Sequence, residues 1–357
     1  MVPALAVAEA LRAEGAQVAF IGGARAEAEL VPAAGFELHR IEVQGLSRTH
    51  PLRAAHALAL AGRAVPRARA LLRWLAADAV LGGGGYVAGP VGLAALTLGL
   101  PLVLTEADSH LGLSNRLLAR RARRVCLAFP IAGREGARYR VTGRPIGPLG
   151  PGREQARRRL HIDPDTRCVL VFGGSLGARS INTAALDALA GGAFTVLHVC
   201  GRRDYPELAA RALPAGYELR EYLDLEAFAQ ALSAADLVVA RAGGSVFELA
   251  AHGTPAILVP YPHAAGDHQS ANARWMAEAG AAVVIPDAEL DAERLAREVA
   301  ALLGDPARLA AMAAAARALA RPDAAHEVAQ ELLAAAAAAA AGAPAPTAPV
   351  PPRARAR

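Results

Sequence analysis

The sequence predicts an α/β protein made of two Rossmann-like domains, each a parallel sheet covered by helices, facing one another across a cleft. Three observations carry this. Short apolar runs alternate with helical patterns along most of the chain, the order expected of βαβ units. The runs are nearly continuous in Val, Leu and Ile, which suits strands covered on both faces. The length of 357 residues exceeds the ~100–200 of one ordinary domain, and Gly143–Gly152 (GRPIGPLGPG) has the Pro and Gly content of a linker. The chain divides into a first domain (1–143), a linker (144–152), a second domain (153–320), a terminal helix (321–342) and a Pro/Arg tail (343–357) that cannot form a core.

The elements follow in order. The chain opens on a helix, PALAVAEALRAEG, closed by Gly15. A Rossmann half ordinarily places a strand and a Gly-rich turn before that helix, so one strand and its turn are expected to be absent ahead of Met1, through a misassigned start. Strands are expected at Val18–Ile21, Ala79–Leu81, Leu102–Leu104 and Arg124–Ala128 in the first domain. In the second they fall at Cys168–Phe172, Thr195–Val199, Leu237–Ala240, Ala256–Pro260 and Ala282–Ile285. Ala79–Thr105 is uncharged and long enough to span a bilayer. Its glycines and prolines instead break it into strand, glycine loop, helix, turn and strand. The alanine run Ala334–Ala341 prolongs the last helix.

Composition narrows the function classes. At 54% hydrophobic and 4% aromatic, with three cysteines, the chain is neither disordered, disulfide-stapled nor collagen-like. Cys126, Cys168 and Cys200 sit in or beside apolar runs, as reduced thiols of a cytosolic protein. No signal peptide is apparent. Residues 1–150 hold 18 basic and 10 acidic side chains, against 20 and 23 in the remainder, and every basic residue is Arg. An anionic surface or ligand is therefore expected at the first domain, with no nucleic-acid partner.

Several turns can carry chemistry. Phe172–Asn182 (FGGSLGARSIN) follows a strand. Its glycines and the helix start suit either a phosphate or a tight helix–sheet turn, and Ser175 adds a hydroxyl. Arg241–Glu248 (RAGGSVFE) repeats the arrangement. Taken alone it reads best as a capping box of Ser245 with Glu248; the functional alternative has the turn receive a diphosphate and Glu248 hold ribose hydroxyls. Tyr261–Asn272 (YPHAAGDHQSAN) puts Asp267 and Gln269, both able to bind sugar hydroxyls, at another strand end. His263 and His268 lack metal-ligand spacing, so neither a metal nor another cofactor is expected. In the first domain, GGGGYVAGP (Gly82–Pro90) offers a second anion-friendly loop. TEADSHLG (Thr105–Gly112) supplies Glu106, Asp108 and His110, either acid–base groups or helix caps. Leu46–Leu75 contains Arg48, Arg53, Arg63, Arg67, Arg69 and Arg73 and no acid, with Leu71, Leu72 and Trp74 among them. It is either a packed helix with solvated charges or a face resting on anionic lipid.

These turns, in this order, resemble the MurG family of bacterial N-acetylglucosaminyltransferases, in glycosyltransferase family 28, from about Pro3 to about Leu333. The family's GGYVSGP-type segment matches Gly84–Pro90, its GGSQGA matches Gly173–Ala178, and its DHQ-x-x-NA matches Asp267–Ala273. The resemblance implies a GT-B fold and a metal-independent, inverting transfer of GlcNAc from UDP-GlcNAc to the C4 hydroxyl of undecaprenyl-diphospho-MurNAc-pentapeptide (lipid I to lipid II), at the cytoplasmic membrane face. It implies a donor site of Ser175, Gln269, Glu248, Gly243, Gly244, Ser245, Leu223 and Asp267. An acceptor site of Gly84, Gly85, Tyr86 and Asp108 is implied as well, with Arg67, Arg69, Leu71, Leu72, Arg73 and Trp74 against an anionic inner-membrane surface.

The chain also departs from the family. The family's N-terminal GGTGGH loop is missing. Its HEQN is TEAD here, so an Asn of the site is Asp108. Its NPVR is RPIG, so the expected Arg is Gly147, and Arg144 is the candidate replacement at the donor. These departures leave two alternatives: another GT-B glycolipid glycosyltransferase, or an inactive UDP-sugar-binding protein.

Overall fold

The computed structural model describes residues 1–45, 50–174 and 176–342. Ser175, Arg48 and the tail 343–357 thus lie outside the described residues. The first domain runs α1 (Val2–Ala13), β1 (Ala19–Gly22), α2 (Glu27–Ala33), β2 (Glu37–Arg40), α3 (Pro51–Trp74), β3 (Val80–Gly82), α4 (Gly85–Thr97), β4 (Leu102–Glu106), α5 (Leu113–Leu118), β5 (Arg124–Leu127) and β6 (Tyr139–Val141). The second runs α6 (Arg153–Arg159), β7 (Cys168–Phe172), α7 (Arg179–Leu189), β8 (Thr195–Val199), α8 (Tyr205–Ala209), β9 (Tyr217–Arg220), α9 (Leu225–Ala234), β10 (Leu237–Ala240), α10 (Val246–His252), β11 (Ala256–Leu258), α11 (His268–Glu278), β12 (Ala282–Val284), α12 (Ala292–Leu303) and α13 (Pro306–Leu319). A last helix, α14 (Ala324–Gly342), follows.

All described strand pairs are parallel. The second domain has one sheet in the order β12-β11-β10-β7-β8-β9, whereas the first has β3-β4-β5-β6 beside a separate pair, β1-β2. Helix α1 bridges the two first-domain pieces. Its Leu5 and Ala8 pack with Val31 and Phe36 beside the β1-β2 pair, and its Val7 and Leu11 pack with Val103 of β4 and Val328 of α14.

Strand alternation divides each core into two layers. Leu102 and Leu104 face α3, α4 and α5, while Val103 between them faces α1 and α14. Likewise Val169 and Val171 of β7 face α7 and α12, and Leu170 and Phe172 face α9, α10 and α11. Helices α9, α12 and α13 start on Asp224, Asp291 and Asp305, whose carboxylates each accept the backbone N–H three residues on.

Strands β2, β6 and β9 have no counterpart in the sequence expectation. ELHR, YRV and YELR are short edge pieces with few apolar residues, so periodicity alone does not mark them. The terminal helix returns to the first domain, where Glu331 accepts from Arg124 (2.6 Å) and Arg140 (2.9 Å). The domains also meet through Phe129, which follows β5 and lies 4.8 Å from the ring of Phe247 and 5.3 Å from that of Trp275. No single described helix is long and apolar enough to cross a membrane; α12 and the α13–α14 stretch meet that test only together, bent by 92°.

Candidate active site

Chain order fixes where a ligand can sit. From β7 the second-domain sheet grows outward through β8 and β9, then the chain returns to add β10 on the other side of β7. The crevice beyond the strand ends at such a reversal is where α/β sheets bind ligands. Phe172 pairs with Ala240, so the turns Gly173–Ala178 and Arg241–Ser245 leave the sheet side by side.

Close backbone contact holds the first turn. Gly177 has φ +80, and a Cβ there would lie 1.9 Å from the Cys200 carbonyl oxygen. Behind it lies a buried polar network that the sequence did not disclose. Asn182 donates to the Cys200 carbonyl and to Asp204, both at 2.9 Å, and its Oδ1 accepts from His198 Nε2 (3.1 Å). His198 Nδ1 therefore accepts from the Tyr217 hydroxyl (2.8 Å), which assigns the tautomer. Burial pushes the His198 imidazole down to about 4. The Arg203 guanidinium, opposed by burial and helped by Arg179 and Asn182, holds Asp204 at about 2.

The second turn is held from beneath. Arg241 donates to Asp287 (2.6 Å), to the Ser180 hydroxyl (2.9 Å) and to the Val259 and Pro260 carbonyls. Asn272 donates to the Ala242 carbonyl (2.9 Å) and the Gly243 carbonyl (3.4 Å). The capping box is not formed, because Ser245 already has helical φ/ψ (−62, −13) and its hydroxyl makes no cap bond. Glu248 is left half-buried in the cleft wall. Burial pushes its carboxyl up, and the Arg144 charge partly offsets this.

Arg144 reaches across from the linker. A Cβ on Gly244 would lie 2.5 Å from its Cζ, so the guanidinium lies on that turn. It makes no hydrogen bond or ion pair among the described residues. Burial lowers its pKa, while Glu248 and Asp108, one from each domain, favour its charge. Asp267 has left-handed φ (53) and accepts from the Ser270 hydroxyl (2.6 Å). Gln269 Oε1 accepts from the Tyr261 N–H (3.0 Å). Leu223, just before α9, is half-buried against the core layer of Phe172 and Ala240.

In the first domain the turns after β3 and β4 are neighbours. Gly84 and Gly85 both have positive φ at the start of α4. The Tyr86 hydroxyl lies 3.4 Å from Glu27, and Arg25 lies over its ring. Glu106 is occupied: it accepts from the Asp108 and Gly112 N–H groups and from Asn115. His110 crosses the cleft, its Cε1 2.9 Å from where a Cβ on Gly266 would stand. A cavity of about 140 Å³ opens between Gly83, Thr105, Glu106, Gly143 and Arg144. A larger one, about 320 Å³, lies at the opposite end of β4 among Leu100, Arg121, Arg123 and Ala338, and touches none of the motif residues.

The expected membrane face needs one correction. Leu72 is 4% exposed and belongs to the core stripe of α3 with Ala57, Ala64 and Ala68, and Leu71 packs partly against the same layer. Leu72 thus packs in the layer of α4 and the sheet, whereas Leu52 and Leu58 of the same helix stand exposed. Trp74 is 70% exposed, beside exposed Arg67 and Arg73 and half-buried Arg69. Exposed Leu113 and Leu117 on α5 and Leu93 on α4 add apolar surface to this domain.

Comparison with known proteins identifies the assembly. Residues 1–127 match the glycosyltransferase family 28 N-terminal domain, and residues 168–328 the family 28 C-terminal domain. A Rubrobacter xylanophilus protein named UDP-N-acetylglucosamine–N-acetylmuramyl-(pentapeptide) pyrophosphoryl-undecaprenol N-acetylglucosamine transferase is 45% identical, over 92% of this chain and 98% of its own length. A Moorella thermoacetica protein of the same name is 43% identical, over 93% and 94%. The crystal structure of Acinetobacter baumannii MurG superposes with a TM-score of 0.72 at 32% identity, covering 93% of this chain and 95% of that one. The calicheamicin glycosyltransferase CalG4, at 17% identity and TM-score 0.64, shares the two-domain fold. With both domain models matched in order and these relatives aligned over nine-tenths of its length, the chain belongs to glycosyltransferase family 28.

Proposed function

We propose that the protein transfers GlcNAc from UDP-GlcNAc to the C4 hydroxyl of lipid-linked MurNAc-pentapeptide, giving the β-1,4-linked disaccharide of lipid II. The carrying observation is convergence. Arg144 of the linker lies on the Gly243–Ser245 turn, with the charges of Glu248 and Asp108 acting on it from the two domains, and His110 stands against Gly266 beside the Asp267–Gln269 loop. The relatives' names supply the two substrates.

In this reading the diphosphate lies on the turns after β7 and β10, with Ser175 and Arg144 as donors. Ribose bonds to Glu248, uracil rests on Leu223, and Gln269 with Asp267 takes GlcNAc hydroxyls. The acceptor enters over Gly84, Gly85 and Tyr86. Its C4 oxygen attacks the anomeric carbon, the bond from that carbon to the diphosphate oxygen breaks, and UDP departs with the electron pair. Amides and Arg144 meet the growing charge on the leaving group. The hydroxyl proton passes to a base. Glu106 is committed to its own loop, which leaves Asp108 and His110 as the candidates. The exposed Trp74 with Arg67, Arg69 and Arg73 would seat the protein peripherally on the anionic cytoplasmic face of the membrane.

The test offers the purified chain labelled UDP-GlcNAc with either lipid I or diacylglycerol, with and without EDTA. Transfer to lipid I, unaffected by EDTA, is the expected result. Transfer to diacylglycerol alone, or donor binding with no transfer to either lipid, would overturn the proposal.

A further inference from the structure

Asn272 does not belong to the donor site proposed above, yet the geometry points to it as the residue that aims that site. We infer that Asn272 positions the backbone amides of the β10–α10 turn for the donor's diphosphate; this rests on the reading of that turn as the diphosphate seat.

Asn272 is 3% exposed, on α11 behind the turn. Its Nδ2 donates to two successive carbonyls, Ala242 at 2.9 Å and Gly243 at 3.4 Å. Every described peptide bond is trans. In a planar trans peptide the carbonyl and the following N–H point in opposite directions. Drawing the Ala242 and Gly243 carbonyls toward Asn272 therefore turns the Gly243 and Gly244 N–H groups away from it, out of the domain, on the side where Arg144 lies. Among the described residues neither of these N–H groups, nor that of Ser245, donates to any backbone or side-chain acceptor. Successive free amides of this kind form a concavity suited to an anion.

The side chain is used one-sidedly. Among the described residues its Oδ1 is buried with no partner, although an unpaired buried acceptor is costly.

The test compares binding of UDP and of uridine by calorimetry to wild type, Asn272→Ala and Asn272→Asp, with unfolding temperature recorded in parallel. Alanine removes the donors; aspartate also sets an acceptor against the two carbonyls. The expected result is a loss of UDP affinity of roughly tenfold or more in both variants. Uridine, which makes no diphosphate contact, should bind within about twofold of wild type. Equal loss for both ligands, or no loss for either, would overturn the inference. Should the aspartate variant fail to fold, the alanine variant decides by the same ratio. Wild type that binds uridine but no tighter UDP would instead refute the diphosphate reading itself.

Discussion

Substituting Gly177 by alanine tests whether the turn after β7 is a packed structural joint before it is a ligand loop. The glycine has φ +80, a conformation costing an L residue about 1–2 kcal/mol. A Cβ would also stand 1.9 Å from the Cys200 carbonyl oxygen, and backbone cannot swing aside as a side-chain tip can. Forced overpacking of this sort costs about 1–3 kcal/mol. The two effects together give about 2–5 kcal/mol, which for a domain of this size lowers the unfolding temperature by roughly 4–20 °C. Gly244→Ala is the control. Gly244 does not have left-handed φ, and the atoms nearest its Cβ would be those of the Arg144 guanidinium, 2.5 Å away, a side-chain end and not backbone. That variant should unfold within about 0.5 kcal/mol of wild type yet bind UDP several-fold more weakly, because Arg144 is displaced from the turn. Calorimetric scans of both proteins and UDP titrations settle the matter. A Gly177→Ala protein melting within about 2 °C of wild type would refute the steric reasoning.

Four further outcomes are expected. Asp236 accepts from Arg153, Arg157, Arg167 and the Cys168 N–H, and Arg157 is itself buried. Asp236→Ala takes the carboxylate from that guanidinium, leaving it only backbone carbonyls, and should cost about 3–5 kcal/mol in denaturant unfolding. Burial holds His198 at about 4 against an ordinary 6.5, so its stabilising contribution is complete above pH 6.5 and is lost as pH falls toward 4. Unfolding free energy should drop by about 3 kcal/mol over that window, a component that His198→Asn would lack when the two pH profiles are compared. Trp74→Ser should weaken sedimentation with anionic vesicles at unchanged stability. Leu72→Ala should instead cost about 2–5 kcal/mol in unfolding and leave vesicle binding of the folded protein intact.

Much of the fold was legible because parallel strands buried on both faces leave unbroken apolar runs. Cys168–Phe172, Thr195–Val199 and Leu237–Ala240 stand in the structure with the boundaries the sequence implies. The edge strands escaped because an edge needs no such run. For the site, motif spacing led to the turns proposed for the donor, since glycines at strand ends signal close backbone approach. Asn272 lay inside the quoted DHQSANA motif, but no spacing rule separates a residue that touches ligand from one that orients the backbone beneath it. Asp287, Ser180 and Arg241 come from three distant segments and share no local signal.

By itself, the sequence determined the two-domain parallel architecture and marked the Gly-rich turns at the strand ends, both of which follow from local apolar periodicity and from Gly and Pro. Tertiary structure alone decided which charges meet. It set Arg144 of the linker between Asp108 and Glu248, turned Glu106 inward onto its own loop, buried Leu72 while exposing Trp74, and left Ser245 uncapped. The physical reason is that a pattern fixes which face of an element is apolar, whereas the partner of a polar side chain depends on distances between elements far apart in the chain.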